Sequence, residues 1–147
     1  MVNYQQSKIY CIRSNKTTDI YIGSTAVLYL SSRIAEHNAG YKKYLKTKKK
    51  YISSYEILKH GDAFIELICH FKCNSSDELK QQKRKYQLEM GCVNKNIAGR
   101  TNKEYRDDNS IKHQEKFKCN CGGKYTYNNK TIHQKTIKHQ KYLKQDH

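Results

Sequence analysis

Two short strand-forming runs on either side of a polar turn set how this chain can begin to fold. Residues 8–13 (Lys-Ile-Tyr-Cys-Ile-Arg) and 20–23 (Ile-Tyr-Ile-Gly) are rich in β-branched and aromatic side chains. Ser14-Asn15-Lys16 and Thr17-Thr18-Asp19 supply turn residues between them. A hairpin is expected, followed by a helix from about Ala26 to Ala39 that Gly40 stops. Within that helix Leu30 and Ile34 sit four apart and can face a core, while Arg33 and His37 sit four apart on a neighbouring face. A second short helix is expected over Ser53 to His60, ended by Gly61-Asp62, and a third strand over Ala63 to Cys69. Ser75-Ser76-Asp77 can cap a helix that runs to about Met90, with Leu79, Tyr86 and Met90 near one face and Gly91 at its end. Residues 92–99 close a first unit, residues 1–99, of class α/β.

A chain of 147 residues holds one core and one small appended module. Its net charge is +16, divided as +9 over residues 1–99 and +7 over residues 100–147. Such basicity favours a polyanionic partner, nucleic acid first and an anionic membrane surface second. Frequent Lys, Asn, Ile and Tyr with no Pro also fit drift in an AT-rich genome, so composition accounts for part of the charge. No apolar stretch approaches the roughly 20 residues of a membrane span. The amino terminus lacks the charged-then-apolar pattern of a signal peptide. An intracellular, reducing setting is therefore expected, in cytoplasm or nucleus, with the six cysteines as thiols or metal ligands. The segment from Tyr41 to Tyr51 interleaves Lys42, Lys43, Lys46, Lys48, Lys49 and Lys50 with tyrosines. Lysines can neutralise phosphates and tyrosines can stack on exposed bases, although a solvated flexible loop is the alternative.

Cleaving a phosphodiester needs an activated nucleophile, a cation on the developing charge and usually a metal on the leaving oxygen. Tyr10 and Tyr21 can orient or deprotonate a water, Arg33 can hold the phosphate, and His37 can share the proton work. Singly, each reads as a packed strand tyrosine or a solvated helix residue; together, in this order, they say more. The set resembles the GIY-YIG nuclease family. Lys8-Ile9-Tyr10 matches its first tripeptide at the tyrosine, and Tyr21-Ile22-Gly23 matches its second intact. The resemblance covers about residues 8–99 and implies a three-stranded sheet flanked by helices, in the same element order. It also implies one-step DNA hydrolysis with a single divalent cation, Mg²⁺ or Mn²⁺. Arg33 takes the place of the family's catalytic arginine, His37 that of a downstream histidine, and Asn94 that of a late asparagine.

Two departures follow from the same match. The family's first glycine is Lys8, a change of strand geometry. Its metal-binding glutamate, three residues before an aromatic in the last helix, is Lys83. Glu78 and Glu89 lie roughly 140° and 120° away around that helix and cannot easily substitute. Glu66, on a strand, is a remote candidate. A lysine there repels a divalent cation and can pair with a phosphate, turning a cutting site into a holding site. Two readings follow: a metal-dependent endonuclease, or a non-catalytic binder of nucleic acid, DNA before RNA.

Residues 100–116 are polar and are expected as a linker. In residues 117–147, Cys119 and Cys121 are followed by His133, with eleven residues between it and Cys121, and by His139, with five residues between the histidines. Two thiolates and two imidazoles make a tetrahedral Zn²⁺ site, here on a hairpin followed by a helix. The segment is similar to two-Cys, two-His zinc fingers, with one residue between the cysteines where the usual knuckle has at least two. The Gly122-Gly123 pair can relieve that geometry. Lys130, Lys135, Lys138, Lys141 and Lys144 point to nucleic acid as its ligand, with a protein-interaction adaptor as the competing use. This pairing of domains suggests a mobile-element or large DNA virus protein.

Overall fold

The expected hairpin is the centre of the first unit. In the computed structural model, which describes residues 2–145, strand β1 (Lys8–Ser14) pairs antiparallel with β2 (Thr17–Thr25). A third strand, β3 (Phe64–His70), pairs antiparallel with the other edge of β1, giving the order β2-β1-β3. Strand alternation then sorts the core. Ile9, Cys11, Ile20 and Ile22 face one side with Leu79 and Cys73; Tyr10, Ile12 and Tyr21 face the other with Ile57. Helix α3 (Ser76–Glu89) covers the first face, with Tyr86 and Met90 packed beside Leu79 as the spacing predicts. Helices α1 (Leu30–Thr47) and α2 (Tyr55–Leu58) cover the second, Leu30 and Ile34 packing against its core. Ser75 caps α3, its side chain accepting from the Glu78 N–H. Lys8, at the position of the first glycine, is buried, and its ammonium donates to the carbonyls of Gln6 (2.9 Å) and Val27 (3.3 Å).

The chain divides into two compact units, residues 1–99 and 100–147. Two features of the backbone differ from the sequence reading. Gly40 does not stop α1, which continues two more turns and takes in the first half of the lysine-rich segment. A Cβ at position 40 would lie 2.9 Å from the Tyr55 hydroxyl, so the glycine serves helix packing. Residues 100–116, expected as a linker, instead carry helix α4 (Asn102–Gln114). The signal is local: the Thr101 hydroxyl accepts from the Glu104 N–H (3.2 Å) and the Glu104 carboxylate accepts from the Thr101 N–H (2.8 Å), a reciprocal capping box.

After α4 come β4 (Lys116–Lys118) and β5 (Lys124–Thr126), an antiparallel hairpin. The expected single helix is broken into α5 (Lys130–Gln134) and α6 (Ile137–Gln145), with His133 on the first and His139 on the second. Among the described residues no helix is long and apolar enough to cross a membrane.

Candidate active site and candidate zinc centre

Tyr10, at the middle of β1, is fully buried at 0% exposure. It stands opposite Gly23 in the strand register, and its ring lies where a side chain at 23 would be: a Cβ there would meet the Tyr10 Cζ at 2.1 Å. The glycine of the second tripeptide thus lets the tyrosine of the first lie across the hairpin. The phenol oxygen receives an N–H from Arg33 Nε at 3.0 Å and meets His37 Nε2 at 2.8 Å. His37 Nδ1 faces the Ser54 hydroxyl at 3.0 Å, just before α2. Tyr21 packs edge-on against the same imidazole, with ring centroids 5.5 Å apart. The structure therefore brings Tyr10, Tyr21, Arg33 and His37 together.

Burial controls the protons. It raises the Tyr10 phenol above its ordinary pKa, against the pull of Arg33, and pushes Tyr21 up to about 12. Both tyrosines are phenols at neutral pH. Burial first, then Arg33, holds His37 down at about 4, with a smaller push from Lys83, so the imidazole is neutral. Arg33 also pairs with Glu36, one turn along α1. Sequence reading missed Glu36 and Ser54. Glu36 sits three residues from Arg33 and was legible from helix spacing; Ser54 depends on how α2 docks and was not.

Lys83 projects from α3 beside this group. Its ammonium stands 5.9 Å from the centroid of the Tyr21 ring, and burial, then the Arg33 charge, holds its pKa below the usual lysine value. With Tyr21, Asn94 and Lys95 it lines a cleft of about 370 Å³. Asn94 clamps β2: its amide donates to the Ile22 carbonyl and accepts from the Ile22 N–H, both at 2.8 Å. Of the basic segment, Lys43, Lys49 and Lys50 line a second depression, Lys48 lies over the Tyr44 ring, and Lys42 and Lys46 are exposed on α1. The tyrosines between them, Tyr41, Tyr44 and Tyr51, pack with Tyr55 as one ring cluster.

A divalent cation does not fit here. Two cationic side chains, Arg33 and Lys83, flank Tyr21, and the neighbouring carboxylate, Glu36, is bonded to Arg33. Glu66 is ruled out as a substitute ligand. It pairs with Cys11 in the register, which places it on the α3 face of the sheet, where it meets Arg13 at 2.8 Å. Glu78 is occupied in capping α3.

Residues 119–139 fit a metal well. Cys119, Cys121, His133 and His139 present ligand atoms that all lie within 4.8 Å of one another, the only such group of three or more among the described residues. Cys119 Sγ is 3.4 Å from His139 Nδ1, and Cys121 Sγ is 3.4 Å from His133 Nε2. A tetrahedron with zinc's bond lengths has sulfur–nitrogen edges of about 3.5 Å. The one-residue cysteine spacing is met by a tight turn: Gly122 takes φ +73°, its N–H donates to the Cys119 carbonyl at 2.9 Å, and the Cys119 N–H donates to the Gly123 carbonyl at 2.9 Å. Phe117, Tyr125 and His133 form a continuous stack, centroids 5.8 and 5.1 Å apart, which orients one ligand.

The profile of the GIY-YIG catalytic domain matches residues 6–96. No curated protein and no solved structure matches the chain. The profile spans well over half of the sequence and includes every residue of the Tyr10 cluster, so the chain belongs to the GIY-YIG family.

Proposed function

We propose that residues 1–99 bind DNA at the Tyr10 cluster and hold a backbone phosphate there without hydrolysing it. One observation carries this reading: Lys83 holds an ammonium beside Tyr21, within electrostatic reach of Arg33, at the position that the sequence resemblance aligns with the family's metal-binding glutamate. Two positive side chains near Tyr21, Lys83 on the cleft wall and Arg33 close enough to depress its pKa, suit an anion and repel a divalent metal. Arg33, one-third exposed, offers the remaining edge of its guanidinium to a phosphate oxygen. Tyr10 and the neutral His37 fix that guanidinium in place through the shared phenol oxygen. Zinc held by Cys119, Cys121, His133 and His139 organises the carboxy-terminal unit, whose Lys130, Lys135, Lys138, Lys141 and Lys144 supply a second basic surface for DNA.

A second reading, metal-dependent phosphodiester hydrolysis, is favoured by the completeness of the rest of the site: Tyr10, Tyr21, Arg33 and His37 are all assembled.

The deciding experiment incubates supercoiled and branched DNA with Mg²⁺ or Mn²⁺ and wild type, Arg33→Ala, Lys83→Glu, or both changes together. DNA binding is measured in parallel by fluorescence anisotropy. Wild type is expected to bind without cutting, Arg33→Ala to bind more weakly, and Lys83→Glu to cut only when Arg33 is present. Cutting by wild type that Arg33→Ala abolishes would overturn the holding reading in favour of the nuclease.

A further inference from the structure

The cleft at Lys83 continues past Lys95 and Tyr51 to Ile52. Ile52 is also a wall of a second depression, of about 320 Å³, whose other walls include Tyr44, Tyr55, Lys43, Lys49 and Lys50. The two features thus meet at one side chain, with Lys83 and Lys95 in the first and an apolar hollow in the second.

The chemistry of the hollow is specific. Tyr44 and Tyr55 pack at 5.2 Å between centroids, and Ile52 completes an apolar lining while its own side is 43% exposed. Lys43, Lys49 and Lys50 supply its charged lining, beside Thr47. An apolar interior with a cationic rim matches a nucleobase flanked by its own phosphates. The volume is at the low end of the roughly 300–1,000 Å³ of small-molecule pockets, enough for one base and too small for a partner helix. The loop carrying the rim has a further peculiarity. Lys48 and Lys50 adopt φ of 55° and 58°, the left-handed region that glycine or asparagine fills at less cost. Lys48 takes this conformation as the C-cap of α1, its N–H donating to the Tyr44 carbonyl, and Lys50 repeats it two residues on.

We propose that this depression is a base subsite: it accepts one unstacked nucleobase of a DNA strand whose backbone passes through the Lys83 cleft. The inference rests on the reading of residues 1–99 as DNA-binding and adds the form of DNA. A base in duplex must be unpaired and unstacked before it can enter, and a single strand is spared most of that cost. The protein therefore prefers single-stranded or locally unpaired DNA.

The test is anisotropy with the full zinc-loaded chain and a labelled oligonucleotide of about 16 nucleotides, single-stranded or duplex, at one fixed salt concentration. Wild type is expected to bind the single strand about tenfold more tightly than the duplex, the scale of one base–aromatic contact. Ile52→Glu, at an exposed position on the wall shared by the two features, weakens single-strand binding more than duplex binding and so removes most of that preference, with the melting temperature nearly unchanged. Replacing single nucleotides by abasic sites weakens binding at one position more than at the rest. Equal affinity for both DNA forms, or an Ile52→Glu loss that is the same for both, overturns the base subsite and leaves the DNA-binding reading standing. Absence of binding to either form overturns both. If Ile52→Glu spares DNA binding but abolishes binding to phosphatidylserine vesicles, the depression is a lipid site and the proposal is wrong.

Discussion

His37 meets Tyr10 through Nε2, 2.8 Å from the phenol oxygen. Because that oxygen already accepts from Arg33 Nε, its own hydrogen is left to donate to the imidazole. His37 then accepts at Nε2 and donates from Nδ1 to the buried Ser54 hydroxyl. The result is a directed chain, Arg33 to Tyr10 to His37 to Ser54, that exists only while the imidazole is neutral. Burial and the nearby Arg33 and Lys83 charges keep it so, holding the pKa at about 4.

This sets a pH dependence. Below pH 6.5 the unfolded chain takes up a proton at residue 37 that the folded chain refuses until about pH 4. The unfolded state binds more protons throughout that window, so the contribution is complete above pH 6.5 and is lost as the pH falls towards 4. Its size is at most about 3 kcal/mol. Thermal melts of wild type and His37→Gln across the window are the check: the wild-type midpoint should fall more steeply with acidification. Parallel slopes would show that His37 does not titrate in this way.

Gly23→Ala tests the fit beneath Tyr10. The added methyl would lie 2.1 Å from the Tyr10 Cζ, inside a ring that is fully buried and held by two hydrogen bonds. The ring must move, and overpacking of this kind costs about 1–3 kcal/mol. A lower denaturant midpoint is expected, together with weaker DNA binding because Arg33 loses its support. A variant with wild-type stability and wild-type affinity would mean that Tyr10 has room the structure does not show.

Two local signals were legible. The hairpin follows from its strand formers and turn, and the α3 start from Ser75, because each depends on near neighbours. Thr101 and Glu104 carried an equally local cap, and the polar composition of residues 100–116 masked it. Gly40 misled for a different reason. Its role is to admit the Tyr55 hydroxyl from α2, a tertiary contact that overrides the stop signal. At the site the order of Tyr10, Tyr21, Arg33 and His37 could be read directly. The side of the sheet occupied by Glu66 could not, since it depends on the register of β3 against β1.

Lys48→Gly with Lys50→Gly separates backbone preference from ligand contact. Glycine removes the penalty of the left-handed conformation at both positions, worth roughly 1 kcal/mol each before glycine's own entropic cost is counted. The double variant should be as stable as wild type or slightly more so. Loss of two lysines should nevertheless weaken DNA binding and flatten its salt dependence by up to about 2 in log–log slope. Unchanged affinity and slope would remove these lysines from the DNA contact.

The carboxy-terminal unit should fold only with its metal. Cys121 is its only buried apolar residue among those described, while Ile132 and Ile137 are 66% and 75% exposed, so packing alone supplies little. Zinc binding then provides the folding free energy. Native mass spectrometry should find one zinc per chain, and a chelator should collapse the amide spectrum of residues 116–145 while that of residues 8–94 persists. Gly123→Ala sharpens the test, because a Cβ there would come within 2.6 Å of His133 Cε1 and 3.3 Å of Cys121 Sγ. Zinc affinity should fall by about 10- to 100-fold, the equivalent of 1–3 kcal/mol of overpacking. If the amide spectrum survives complete removal of zinc, the four ligands do not hold this unit together.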